Sequence, residues 1–183
     1  MVRVVICFLL AVTLGCKQKS QKIDETAKLR SIAKKDTTRL LESDGLTIEI
    51  FDFDELEPQL YQENDTTYII NFWATWCAPC VKELPYFEKI NAEQKEENVK
   101  VILVSLDMPK MWKTQLIPFI KKKNIRSKVL ILDDPKQNTW IPKVDANWSG
   151  GIPATLIYNN DKRILYEKSF EYDELIRELN TFK

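Results

Sequence analysis

Histidine is missing from all 183 residues. That absence removes every Ser-His-Asp or Cys-His nucleophile and any zinc or copper site built on imidazole. An excess of either charge is missing too, with 27 basic residues against 27 acidic ones. No electrostatic footprint for nucleic acid follows from such a balance. The short Lys121-Lys122-Lys123 run reads as a solvated helix end and not as a phosphate site. Long apolar runs are also scarce. Val4 to Leu14 is unbroken, but eleven residues at about 1.5 Å each fall short of a hydrocarbon core of about 30 Å. Thiolate, carboxylate and thioether are the ligand types left, and no metal site is expected.

What the amino terminus does contain is an address. Arg3 supplies a positive start, Val4 to Leu14 the apolar stretch, and Gly15 a small residue before Cys16. Residues 1–15 therefore read as a secretory signal peptide, removed on maturation. Residues 17–45 carry many charges and no aromatic residue, so residues 16–45 read as a solvated tether.

From Leu46 the pattern changes to that of a packed domain, residues 46–183. Thr47 to Phe53 alternates as a half-buried strand does, and Phe53 to Gln62 reads as a short helix. Thr67 to Ala74 is nearly continuous apolar sequence, which predicts a strand buried on both faces. Val81, Leu84, Phe87 and Ile90 then recur at helical spacing over 78–97, with Pro85 as an expected kink. Val99 to Leu106 is a second buried strand, so strand, helix and strand form a βαβ unit. A helix over 113–124, a strand over 128–132 and a helical turn over 138–144 follow. Strands flank Asn159-Asn160-Asp161, and a closing helix spans 172–182. The fold class is α/β: a central mixed sheet flanked by helices.

The chemistry concentrates at Trp76-Cys77-Ala78-Pro79-Cys80, where the buried strand hands over to the helix. The first turn of a helix offers unpaired N–H groups and the positive end of the dipole, and both stabilise a thiolate. Cys77 is expected to be exposed there and to attack a disulfide. Cys80, one turn on and more buried, then resolves the mixed disulfide. Pro79 suits the first turn because its missing N–H is not needed. A half zinc site is the competing reading, and it has neither a second cysteine pair nor a histidine to complete it. An inert structural disulfide is the third, and it would close a loop too small to stabilise much. The strand–CxxC–helix setting favours the catalytic pair.

Phe72 to Cys80, FWATWCAPC, resembles the active-site segment of the thioredoxin superfamily, and in particular its TlpA/ResA-like envelope disulfide reductases. The resemblance covers about 46–183 and takes in a second motif, Gly151-Ile152-Pro153-Ala154-Thr155, similar to the family's cis-proline loop. It implies a thioredoxin-like fold with an extra helix-strand insertion between Leu106 and Gly150. It also implies a cis Pro153 packed on the cysteines and an Ile152 backbone that pairs with substrate. Trp73 and Trp76 would frame the pair, one inward and one toward substrate. Trp112, Trp140 and Trp148 read as core or rim packing, with Trp148 near enough to Pro153 to touch the site. Where cytosolic thioredoxins place a buried acid, this chain has Asn71. The proton acceptor for Cys80 is then open: Glu83 is one candidate, and a solvated helix residue is the other reading of it.

The address carries a separate resemblance. Thr13-Leu14-Gly15-Cys16 is similar to a lipoprotein cleavage box, with Thr13 departing from the usual Leu. Cys16 would be lipidated and would anchor the domain to a membrane of the bacterial envelope, facing the periplasm. Cutting there removes Arg3 and leaves 26 basic against 27 acidic residues, a charge of −1. Ala78-Pro79 and Ile152 resemble the reducing members. The expected activity is reduction of disulfides in client proteins, fed by a membrane thiol donor, with no cofactor beyond the Cys77–Cys80 disulfide. Cytochrome c biogenesis is one setting in which similar proteins act. A disulfide-introducing oxidant or isomerase, a peroxide-reducing enzyme and a non-catalytic binding module remain as alternatives.

Overall fold

The computed structural model describes residues 39–183. The leader, Cys16 and most of the tether expected from the sequence lie outside the described residues.

The sheet begins earlier than expected. Strands β1 (Arg39–Ser43) and β2 (Leu46–Phe51) pair antiparallel, from Arg39↔Ile50 to Ser43↔Leu46. Residues 39–45, assigned to the tether on sequence, are therefore part of the domain. The physical reason is the Asp44-Gly45 turn: both residues take positive φ (53° and 78°), as a two-residue hairpin turn requires. Leu41 then buries its side chain while its neighbours stay wet.

A capping box opens the next element. Asp52 accepts from the Glu55 amide at 2.9 Å and Glu55 accepts from the Asp52 amide at 3.0 Å, which starts α1 (Phe53–Leu56). A 3-10 turn, Glu57–Leu60, extends it. Strand β3 (Thr67–Trp73) is buried at every position, as its unbroken apolar run predicts. After it come α2 (Ala78–Glu93), β4 (Val99–Ser105), a short α3 (Pro109–Met111) and α4 (Ile117–Lys123). Then follow β5 (Lys128–Leu132), α5 (Gln137–Val144), the β6/β7 hairpin (Ala154–Tyr158, Arg163–Tyr166) and α6 (Tyr172–Asn180). Between α3 and α4 the chain makes a π turn, Trp112–Leu116, in which the Ile117 amide reaches back to the Trp112 carbonyl. Pro118 follows directly and has no N–H to give to Thr114, so the ladder relaxes around it.

The sheet order is β1-β2-β5-β4-β3-β6-β7. Strands β2, β5, β4 and β3 run parallel, and β6 is antiparallel to β3. The inserted strand β5 thus lies inside the sheet, between β2 and β4. One face packs Ile69, Trp73, Leu103 and Ile157 against α2, α4 and α6. The other packs Tyr68, Ile70, Phe72 and Leu156 against α1 and α5, with Phe53, Trp140 and Trp148 filling the gap. Both faces are therefore closed around β3, whose C-terminal end carries the chain into the cysteine pair.

Candidate active site

Strand β3 ends at Trp73, and its carbonyl accepts from the Leu106 amide at 2.8 Å. The chain turns, with the Cys77 amide bonded to the Ala74 carbonyl at 3.1 Å, and α2 starts with Cys77 as its N-cap. Cys77 and Cys80 are joined by a disulfide, their Cα atoms 5.3 Å apart. The Cys80 amide points at Cys77 Sγ, 3.3 Å away. That N–H is one of the orphan donors of the helix start, and it sits ready to stabilise negative charge on the sulfur.

Cys80 is fully buried, whereas Cys77 is 6% exposed. The sequence predicted an open Cys77, and the difference comes from the loop above it. The Ile152–Pro153 bond is cis, and the Ile152 carbonyl oxygen lies 3.7 Å from Cys77 Sγ. Pro153 is buried and Ile152 half-buried, the latter packed against the hydrophobic clusters of both sheet faces. Trp76 stands out at 55% exposure, while Trp73 is fully buried and packs at a tilt against Phe119, ring centres 5.4 Å apart. Pro79 lies in the first turn of α2, on the surface. Trp148 reaches the site by another route. Its ring packs 4.9 Å from Phe72, and its Nε1 donates to the Gly151 carbonyl at 2.9 Å.

Glu83 is not a solvated helix residue. It is completely buried, on the same side of α2 as Cys80, three residues earlier. Its carboxylate accepts from Phe170 N at 2.7 Å, from Asn71 Nδ2 at 3.0 Å and from Ser169 Oγ at 3.1 Å. Burial pushes the carboxyl above its ordinary value, and the bonds from Phe170, Asn71 and Ser169 draw it partly back. Asn71, on β3, also donates to Thr155 Oγ1 at 3.1 Å, which ties β3, β6 and α2 together beneath the cysteines. The Asn71 Oδ1 and Trp73 Nε1 atoms are buried with no partner among the described residues.

One supporting residue was missed on sequence. Asp107, just after β4, is 2% exposed. It accepts from the Thr75 amide at 3.1 and 3.2 Å and from the Thr75 hydroxyl at 2.5 Å. Ser105 Oγ donates to its other oxygen at 2.9 Å. Nothing local distinguishes this aspartate from a surface one; the signal is its place at the end of a buried strand parallel to β3. Among the described residues no group of three or more acidic or cysteine side chains is placed to hold a metal ion. No helix among them is long and apolar enough to cross a membrane.

The arrangement can exchange disulfides: a cysteine at a helix start, its partner one turn inside, a buried carboxyl further along the same helix face and the Ile152 loop backbone beside the outer sulfur. The model of the AhpC/TSA family matches residues 47–167. A thiol-disulfide oxidoreductase ResA of Oceanobacillus iheyensis is 44% identical over 54 residues, 30% of this chain and 28% of the relative. A second ResA, from Halalkalibacterium halodurans, is 29% identical over 96 residues, 52% of this chain and 49% of the relative. The chain thus matches about half, or less, of the length of these curated relatives. In solved structures, a thiol:disulfide interchange protein of the thioredoxin family from Chlorobium tepidum superposes with a TM-score of 0.55 at 16% identity. That superposition covers 79% of this chain and 92% of the other, and establishes the thioredoxin fold.

Proposed function

This chain belongs to the AhpC/TSA family, and from that premise we propose that it is a thiol–disulfide oxidoreductase that reduces disulfides in client proteins through Cys77 and Cys80. The observation that carries the reading is the Cys77–Cys80 disulfide at the start of α2, with the Ile152 carbonyl 3.7 Å from Cys77 Sγ. The ResA name of its relatives supports the same chemistry.

In the reduced state Cys77, stabilised by the Cys80 amide and the helix end, attacks one sulfur of the client disulfide. That S–S bond breaks, and the other client sulfur leaves as a thiolate and takes up a proton. Cys80 gives its proton to the buried Glu83 carboxylate and attacks Cys77 Sγ. The mixed disulfide breaks, the second client thiolate leaves, and the Cys77–Cys80 disulfide is formed. Two electrons have passed to the client, and a donor dithiol must return them. Throughout, the client strand lies along Ile152, with Trp76 offering an apolar face.

Ala78-Pro79 and Ile152 favour the reducing direction by their likeness to reducing members. The apolar Val4 to Leu14 stretch and Gly15-Cys16 support a domain held outside the cytoplasm and tethered through a lipid on Cys16; a membrane thiol donor would feed it there. Substitution C16S should then release the protein from membranes into the soluble fraction.

Dithiothreitol-driven insulin reduction tests the activity. Wild type should be active and C77A inactive; activity retained in C77A removes Cys77 as nucleophile. A reduction potential near or below about −230 mV supports a reductase, whereas one near about −120 mV makes the protein an oxidant.

A further inference from the structure

The loop that covers the cysteines is fastened from outside by a residue that has no place in the exchange chemistry. Residues 149–153 are the last part of the segment that leads from α5 to β6, which turns at Gly150, whose φ is +89°. Trp148 holds the Gly151 carbonyl from the core side. From the other side comes Glu167, an exposed residue just past β7. Its carboxylate accepts from Ser149 N at 2.9 Å, from Gly151 N at 3.0 Å and from the Ser149 hydroxyl. Those donors, the Ser149 hydroxyl foremost, keep the Glu167 carboxyl below its ordinary value, so the clasp is charged at neutral pH.

The next peptide along is Ile152, whose carbonyl faces Cys77 Sγ. An outward-facing surface carboxylate normally takes water. This one spends both oxygens on two backbone amides and a hydroxyl of one short loop. The glycine in between is explained by the same clasp. Gly151 has no positive φ, so its backbone accepts any residue. A Cβ placed there would instead overlap Glu167 Oε1.

We propose that Glu167 is a positioning residue: acting through Ser149 and Gly151, it holds the Ile152 backbone at the height at which a client strand meets Cys77. The role rests on the exchange reading of Cys77 and Cys80 given above. It concerns extended protein clients only, because a small disulfide reaches Cys77 without pairing along Ile152.

The test compares two substrates. Insulin serves as the protein client and a small aromatic disulfide as the probe that needs no strand pairing. E167A should raise the KM for insulin about fivefold or more, with kcat changed less. Its rate with the small disulfide, and the glutathione equilibrium of the cysteine pair, should stay within about twofold of wild type. E167Q should behave like E167A, since an amide presents N–H where a loop amide needs an acceptor. G151A should show the same insulin defect, and the double variant should be no worse than either single one. An insulin KM within about twofold of wild type in E167A overturns the proposal, as does an equal fall in both substrates or additive defects in the double variant. A wild-type protein that reacts with neither disulfide overturns the exchange reading itself, and this role with it.

Discussion

Asp107 holds Thr75 by both its amide and its hydroxyl, across 32 positions of sequence. The contact fastens the turn between β3 and α2 to the end of β4, two residues ahead of Cys77. Substitution D107N keeps the size but replaces one acceptor oxygen by an NH2 group in a buried site. The turn should loosen, and stability should fall by about 1–3 kcal/mol. Denaturant unfolding of the oxidised protein measures this, and insulin turnover should fall alongside; unchanged stability removes Asp107 as the fastener.

The Glu83 carboxyl predicts a pH dependence with a definite sign. Its value in the folded state lies above the unfolded one, with burial as the main cause. The folded state therefore binds this proton more tightly. The corresponding stability is fully present below the unfolded carboxylate value and is lost as pH rises through the raised folded value. Glutamine does not titrate, so its contribution does not change with pH. Unfolding curves of wild type and E83Q from about pH 4 to about pH 8 should diverge, with E83Q gaining on wild type as pH rises. A constant gap contradicts the raised value. Insulin turnover of E83Q should fall at neutral pH if Glu83 takes the Cys80 proton, as proposed.

Separate roles for the two sulfurs predict separate trapped species. In C80S the first attack proceeds and the second cannot, so a covalent Cys77–client adduct should accumulate. C77S should give none. Non-reducing gels and intact mass after incubation with oxidised insulin read this directly. An adduct in C77S would reverse the assignment.

Arg163 predicts a stability effect away from the cysteines. Its guanidinium donates to the Leu60 carbonyl at 2.6 Å and to the Val144 carbonyl at 3.1 Å. It also lies 4.2 Å from the centre of the Tyr61 ring. It thereby joins β7 to the end of α5 and to the turn after α1. R163M should leave two carbonyls without a donor and lower stability by about 2–3 kcal/mol, while the reduction potential stays at the wild-type value. A shift in potential would show that this side of the sheet is coupled to the cysteines.

The parts of the site that are contiguous in sequence were legible from it. Phe72 to Cys80 contains a strand end, a turn and a helix start, and its chemistry follows from that local order. The β6/β7 hairpin was legible from its Asn-Asn-Asp turn. Asp44-Gly45 carries a similar turn signal, yet the charged residues before it made 39–45 read as tether. Only Leu41 of β1 is buried, which is too little for alternation to register. The burial of Glu83 was not legible, because its donors Asn71, Ser169 and Phe170 lie 12 to 87 positions away. The fastening of the loop by Glu167 has the same character: sequence places a glutamate at a strand end, and only the β6/β7 pairing brings it to Gly151.

The position of β1 has a mechanical consequence. The described chain enters at Arg39, on the outermost strand, and β3 lies four places across the sheet, about 19 Å at ordinary strand spacing. A pull on Arg39 away from that edge is borne first by the five pairs between β1 and β2. Strand β3 is gripped by β4 on one side and β6 on the other. Tension on the chain before residue 39 would peel the hairpin long before it strained the turn that carries Cys77.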